Sequence, residues 1–174
     1  MRAKNMALCG LFAALLTVCA WLHIPIGDIS FTMQTFGVFL ALGLLGGKRG
    51  AAAISIYLLL GIVGLPVFSG FRGGLGVLMG VSGGYIWGFL VSGLVYWGLT
   101  ARKSTPKRQA FAMVMGLLAC YLCGTAWYMG VYLPGGNAVG LGAVLLKCVV
   151  PYLLPDAAKL LLAHFLTQKL RPFV

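Results

Sequence analysis

The sequence predicts an all-α membrane protein of six transmembrane helices, and three observations carry that prediction. Hydrophobic residues fill 61 % of the 174 positions and charged residues only 9 %, against roughly 25 % charge in a soluble domain. The apolar runs are continuous rather than alternating, which suits helices and argues against a transmembrane barrel. The length accommodates about six spans of about 20 residues with short connections, so residues 1–174 read as a single integral membrane domain. In a soluble chain the formal charge of +11 would suggest nucleic acid. Here the basic residues gather at the ends of apolar runs, which points to membrane topology and to no nucleic-acid partner.

Taken in order, helix 1 is expected over Asn5 to Ile24, ending at Pro25, whose missing N–H and fixed φ disfavour continuation. Its basic-then-apolar start has the look of a signal peptide. No clear small-residue cleavage site follows it and more spans do, so it reads as an uncleaved first helix. Helix 2, Met33 to Gly46, is short for a span and is expected to be tilted or sheltered by its neighbours. "GKRG" then reads as a tight basic turn before helix 3, Ala51 to Leu65. From Pro66 the glycine-rich "LPVFSGFRGGLGVLMGVSGGY" argues against regular lipid-facing helix. Irregular backbone at membrane depth needs protein or water to satisfy it, so this segment is expected to fold over or dip into a cavity. Helix 4 is expected over Tyr85 to Leu99 and helix 5 over Ala110 to Tyr132, with a basic loop between them and "LPGGN" after the second. The remainder, interrupted by Pro151 and Pro155, should break into a short interfacial helix, Val139 to Val149, and helix 6 from near Pro155. That start would put Asp156 in a first turn, where the helix dipole favours an anion.

Ten of the lysines and arginines, including Lys48, Arg49, Arg102, Lys103 and Arg171, fall at the N-terminus, the 2–3 turn, the 4–5 loop or the C-terminus. By the positive-inside rule both termini are then cytoplasmic, leaving Arg72, Lys147, Lys159, Asp28 and Asp156 for the other side or the interior.

Asp156 and Lys159, three apart in an apolar run, are the clearest chemical signal, because an intramembrane charge costs roughly 2.5–3.5 kcal/mol at a helix centre. Two readings stand: an ion pair on one face of a helix, or a solute cavity open to the outside. In the second, Arg72 with this pair leaves one positive charge that an anionic ligand cancels, while the Asp accepts from donor N–H groups on the same ligand. Gln34, Thr32 and Thr35 either reach that ligand or cap helix 2. The glycine-rich loop lacks the strand, helix and lysine of a phosphate loop, so no ATP site is expected. Cys120 and Cys123 have CxxC spacing but no second ligand pair, and His23 and His164 stand alone near span ends, so no metal or redox cofactor is expected. Nothing resembles a catalytic set; the chain reads as a non-enzyme. Small residues such as Gly43/Gly47 and Gly84/Gly88 fit close helix packing, and Gly10/Ala14 fit either packing or a partner subunit.

With these residues in hand, the chain resembles the biotin transporter family, the biotin-specific substrate-capture (S) components of energy-coupling-factor vitamin transporters. The resemblance covers nearly the whole chain. It is carried by "FTMQTFGVFLALGLLGGKRG" (Phe31 to Gly50), "YLLLGIVGLPVFSGFRGGLGVLMGVSGGYIWGF" (Tyr57 to Phe89) and "PYLLPDAAK" (Pro151 to Lys159). Departures are Gly80-Val81-Ser82-Gly83-Gly84, where the family often has Gly-Pro-Thr-Gly-Gly, and Tyr152 where Phe is common. The resemblance implies an S-component-like bundle of six helices in a prokaryotic cytoplasmic membrane, with a biotin site near the outer face. It implies that Asp156 and Lys159 are the polar ligand contacts, with Arg72, Gly73, Gly74 and Tyr85 contributing; we assign Lys159 to the biotin carboxylate and Asp156 to the ureido N–H groups, and add Gln34 from its place beside them. It also implies a membrane coupling subunit and two cytoplasmic ATPases as partners. A nearby alternative is an S component for another vitamin, such as thiamine or pantothenate.

Overall fold

The computed structural model describes residues 3–25, 30–132 and 140–173. It is a bundle of long helices: α1 (Ala3–Trp21), α2 (Gln34–Leu45), α3 (Gly47–Ile62), α5 (Gly83–Thr100), α6 (Pro106–Trp127) and α8 (Val150–Leu170). Shorter pieces are α4 (Leu75–Leu78), α7 (Leu141–Cys148) and a two-strand hairpin, β1 (His23–Ile24) antiparallel to β2 (Phe31–Thr32). Asp28 and the "LPGGN" segment lie outside the described residues. By length and composition α1 and the helix continuing α6 to Val131 are apolar enough to cross a membrane. α7 and α8 pass the same test together, bent by 44° at their junction.

α2 occupies the centre. Its 12 residues are apolar on all sides, and a helix of that kind is stable only when neighbours cover it. α1, α3 and α8 do so, and Gln34 and Gly37 to Leu45 are buried. The expectation that a short second helix would be sheltered holds, and shelter rather than length explains how it survives.

Several boundaries differ from the sequence reading: α1 ends at Trp21, and His23–Ile24, expected in that helix, form β1, while α3 ends at Ile62 rather than Leu65. The 2–3 turn is Gly46 alone, at φ 79° and ψ 163°, a backbone region that favours glycine; "GKRG" is already the first turn of α3. α6 begins earlier, at Pro106, because Thr105 caps it by accepting from the Arg108 N–H and proline suits the first helical position. α8 begins at Val150, with Pro151 in the first turn and Pro155 inside the helix. Asp156 therefore sits in the second turn, and its charge must be compensated by side chains rather than by the helix terminus.

α5 and α6 cross most closely. A Cβ on Gly84 would fall 2.2 Å from the Trp127 Cβ, and one on Gly124 2.3 Å from the Tyr85 ring. Gly43 likewise admits Thr167 of α8, and Gly47 admits the Trp97 backbone, with 2.4 Å from its would-be Cβ to the Trp97 Cα. The small residues are thus packing positions, as expected, except on α1: Gly10 has nothing within 4 Å of a would-be Cβ, and Ala14 is exposed.

Candidate functional site

The long helices run between two ends of the bundle, and one end holds a polar cavity. Its enclosed volume is about 70 Å³, smaller than the roughly 300–1,000 Å³ of drug-sized ligand sites. α8 supplies Asp156 and Lys159, α6 supplies Tyr121 and Leu117, α5 supplies Tyr85 and Phe89, and Thr32 and Gln34 come from β2 and the start of α2.

Asp156 and Lys159 are 5 % and 6 % exposed, so each charge must be met internally. One turn of helix brings them together: Lys159 Nζ donates to Asp156 Oδ1 at 2.8 Å. Tyr121 Oη donates to the other carboxylate oxygen, Oδ2, at 2.7 Å. Lys159 Nζ also donates to the Thr32 carbonyl at 2.6 Å and lies 3.8 Å from the centroid of the Phe31 ring. The three donors of the ammonium are therefore matched by a carboxylate, a carbonyl and a π face, while each Asp156 oxygen keeps a free lone pair. The pair is an intrahelical ion pair that also lines the cavity.

Gln34 is buried beside the pair. Its Nε2 donates to Tyr57 Oη at 2.7 Å and its Oε1 accepts from Thr32 Oγ1 at 2.9 Å; Thr32 Oγ1 also accepts from the Gln34 N–H. Thr32 thus ties β2 to the first residue of α2, whose N-cap position is Met33, and Gln34 is both cavity wall and anchor to α3. Tyr85 lines the cavity and its hydroxyl reaches the Cys148 carbonyl at 3.4 Å, tying α5 to the end of α7.

The other predicted residues lie elsewhere. Arg72 is exposed, in a bridge with Phe68, and its Nε donates to the Ser69 carbonyl at 3.1 Å. It lines a separate cleft with Gly76 and Gly80, and Ser82 borders both that cleft and the polar cavity. Gly73 and Gly74 shape the loop: a Cβ on Gly73 would fall 2.2 Å from the Leu65 carbonyl oxygen, and Gly74, at φ 89°, donates its N–H to Gly61. Trp21 fastens this loop to α1 through a 2.8 Å bond from its indole N–H to the Pro66 carbonyl.

Sequence reasoning missed Tyr121 and Phe31. Tyr121 is 35 residues from the acid it serves, and no local spacing connects them. Its one sequence signal is a phenol in mid-span, which needs a partner once buried.

The buried, charge-matched cavity lies at one end of a helical bundle, and the known proteins that this bundle is similar to narrow its class. The bundle superposes with TM-score 0.85 on the crystal structure of the S-component for biotin from an ECF-type ABC transporter, over 99 % of this chain and 93 % of that one at 24 % identity, which shows a shared fold. The biotin transporter BioY of Thermotoga maritima is 37 % identical over 162 residues, 93 % of this chain and 92 % of that protein. The probable biotin transporter BioY of Pyrococcus horikoshii is 35 % identical over 171 residues, 98 % of both. Residues 1–174 match the BioY family, and the chain belongs to it.

Proposed function

We propose that this protein captures biotin as the substrate-specific subunit of an energy-coupling-factor transporter in the cytoplasmic membrane, and that it is a transporter subunit, not an enzyme. The observation that carries the reading is the buried Asp156–Lys159 pair facing the cavity, in a chain whose relatives are named as biotin transporters. Those names favour biotin over thiamine or pantothenate.

The charge pattern suggests how the ligand lies. Asp156 and Lys159 already neutralise each other, so a second buried anion would be uncompensated there. The neutral ureido ring suits the interior, donating its N–H groups to the free lone pairs of Asp156. Its carbonyl exchanges with Thr32 at Lys159. The carboxylate then lies at the mouth, toward Ser69 and Ser82, on the side where Arg72 stands. This exchanges the role that the sequence reading assigned to Lys159. Gly73 and Gly74 serve by shaping the loop that carries Arg72, and Tyr85 and Gln34 by walling the cavity.

In this reading six helices traverse the bilayer with both termini cytoplasmic. The open face of α1 around Gly10 and Ala14 meets the coupling subunit, which joins two cytoplasmic ATPases. Equilibrium binding of labelled biotin to the purified protein, with thiamine and pantothenate as competitors, tests the assignment. Biotin binding that neither competitor displaces is expected, and a folded protein that binds no biotin overturns it.

A further inference from the structure

The end of the bundle opposite the cavity carries a second concave site. α2, α5 and α8 each run from the polar cavity to this end: Gln34 to Leu45, Tyr85 to Thr100, Asp156 to Arg171. Their far ends meet the α2–α3 turn around a cleft of about 520 Å³. Lys48, Arg49 and Arg171 line it from two separate elements, with Trp97 and Thr100 on its wall.

Four features set this cleft apart from a scatter of surface cations. Among the described residues no acid offsets it: Asp156, the only one, is held by Lys159 at the other end. The N-terminus of the 16-residue α3 opens on it: Gly46, Gly47, Lys48 and Arg49 are among its lining, and Gly46 provides no side-chain cap and has nothing within 4 Å of a would-be Cβ. Next to Trp97 in the chain, Tyr96 Oη is buried without a hydrogen-bond partner among the described residues, close enough to Arg171 to feel its charge. Apolar side chains next to the lining are exposed: Trp97 40 %, Leu94, one turn before it on α5, 51 %, and Leu170, beside Arg171 in the chain, 41 %.

We propose that this cleft binds the phosphate of an anionic phospholipid headgroup. Lys48, Arg49, Arg171 and the first-turn N–H groups of α3 match a phosphodiester, and the exposed Leu94, Trp97 and Leu170 match the acyl chains below it. Basic pockets between helices at a membrane surface bind anionic headgroups in this way. A free phosphate ion would use the cations but not the apolar flank, and an acidic peptide would leave that flank uncovered.

The test is native mass spectrometry of the purified chain in detergent, equilibrated with equal phosphatidylglycerol and phosphatidylcholine. Wild type is expected to retain phosphatidylglycerol selectively, and millimolar inorganic phosphate is expected not to strip it. Each cation contributes roughly fivefold, so Lys48→Ala/Arg49→Ala/Arg171→Ala should weaken retention about a hundredfold. Arg102→Ala/Lys103→Ala/Lys107→Ala, an equal loss of charge outside the cleft, should retain the lipid. Arg171→Gln alone, at an exposed position, should show the fivefold step even if the triple variant folds poorly; unchanged biotin binding marks the folded fraction. Equal retention of both lipids, equal loss in both triple variants, or stripping by inorganic phosphate overturns the proposal. So does a cleft variant that keeps the lipid but loses the coupling subunit on co-purification, since the cleft would then be a protein-docking surface.

Discussion

The two ends of this bundle handle charge in opposite ways. At the cavity end the one ion pair among the described residues is buried, and both partners are fixed by further groups: Tyr121 on the acid, the Thr32 carbonyl and the Phe31 ring on the amine. At the other end Lys48, Arg49 and Arg171 are exposed and meet no carboxylate among the described residues. Arg171 makes one 3.4 Å contact to the Ser104 carbonyl, and Arg108 donates its Nε to the Leu99 carbonyl. Buried charge demands partners because desolvation is expensive, whereas exposed charge is held by water and tuned by salt. The cavity end is therefore specified by geometry and the basic end by number and sign of charge, which makes the first sensitive to single atoms and the second tolerant.

The sharpest way to break that contrast is Lys159→Ala. Removing one partner of a buried pair costs about 3–5 kcal/mol, so biotin binding measured by equilibrium dialysis should fall by at least about a hundredfold. If binding survives intact, the pair does not face the ligand.

Gly47→Val tests whether the tolerant end is tolerant of shape as well as charge. Its Cβ would meet the Trp97 Cα, and overpacking of this kind costs about 1–3 kcal/mol. The thermal midpoint in detergent should drop by several degrees, with biotin affinity of the folded fraction unchanged. An unchanged midpoint would mean that α3 and α5 are not in contact there.

Tyr121→Phe sharpens the comparison at a single hydroxyl. Losing a hydrogen bond to a charged group costs about 1.5–3 kcal/mol, so affinity should weaken at least about tenfold, with secondary structure by circular dichroism preserved. A silent substitution would show that Lys159 alone holds Asp156.

The smallest effect is expected at Arg72→Ala. Exposed ion pairs contribute about 0.2–1 kcal/mol, so biotin affinity should change by no more than about fivefold and lose its dependence on ionic strength. A hundredfold loss would place Arg72 inside the site rather than at its mouth.

Much of the site was legible in the sequence because its signal was local. Asp156 and Lys159 stand three apart, so one helical turn pairs them wherever the helix starts, and misplacing that start by five residues did not disturb the pairing. Gln34 and Tyr85 sit at the beginnings of helices whose ends converge, and both line the cavity. Arg72 joins the cluster by its charge and its place in the glycine-rich loop; in the structure it is exposed, with its Nε on the Ser69 carbonyl, and lines a cleft that meets the cavity at Ser82. Tyr121 gave no signal, because nothing along the chain says that α6 and α8 face each other at that height.

Composition and period by themselves determined a helical membrane protein, its apolar segments and the sign of its two ends, because those properties add up residue by residue. The tertiary structure alone decided that the 12-residue α2 lies at the centre, that Gly46 and not "GKRG" is the turn, and that a phenol on α6 completes the carboxylate on α8. The physical reason is that shelter, close backbone approach and hydrogen-bond satisfaction are properties of pairs of segments, and which segments meet is set only when the whole bundle packs.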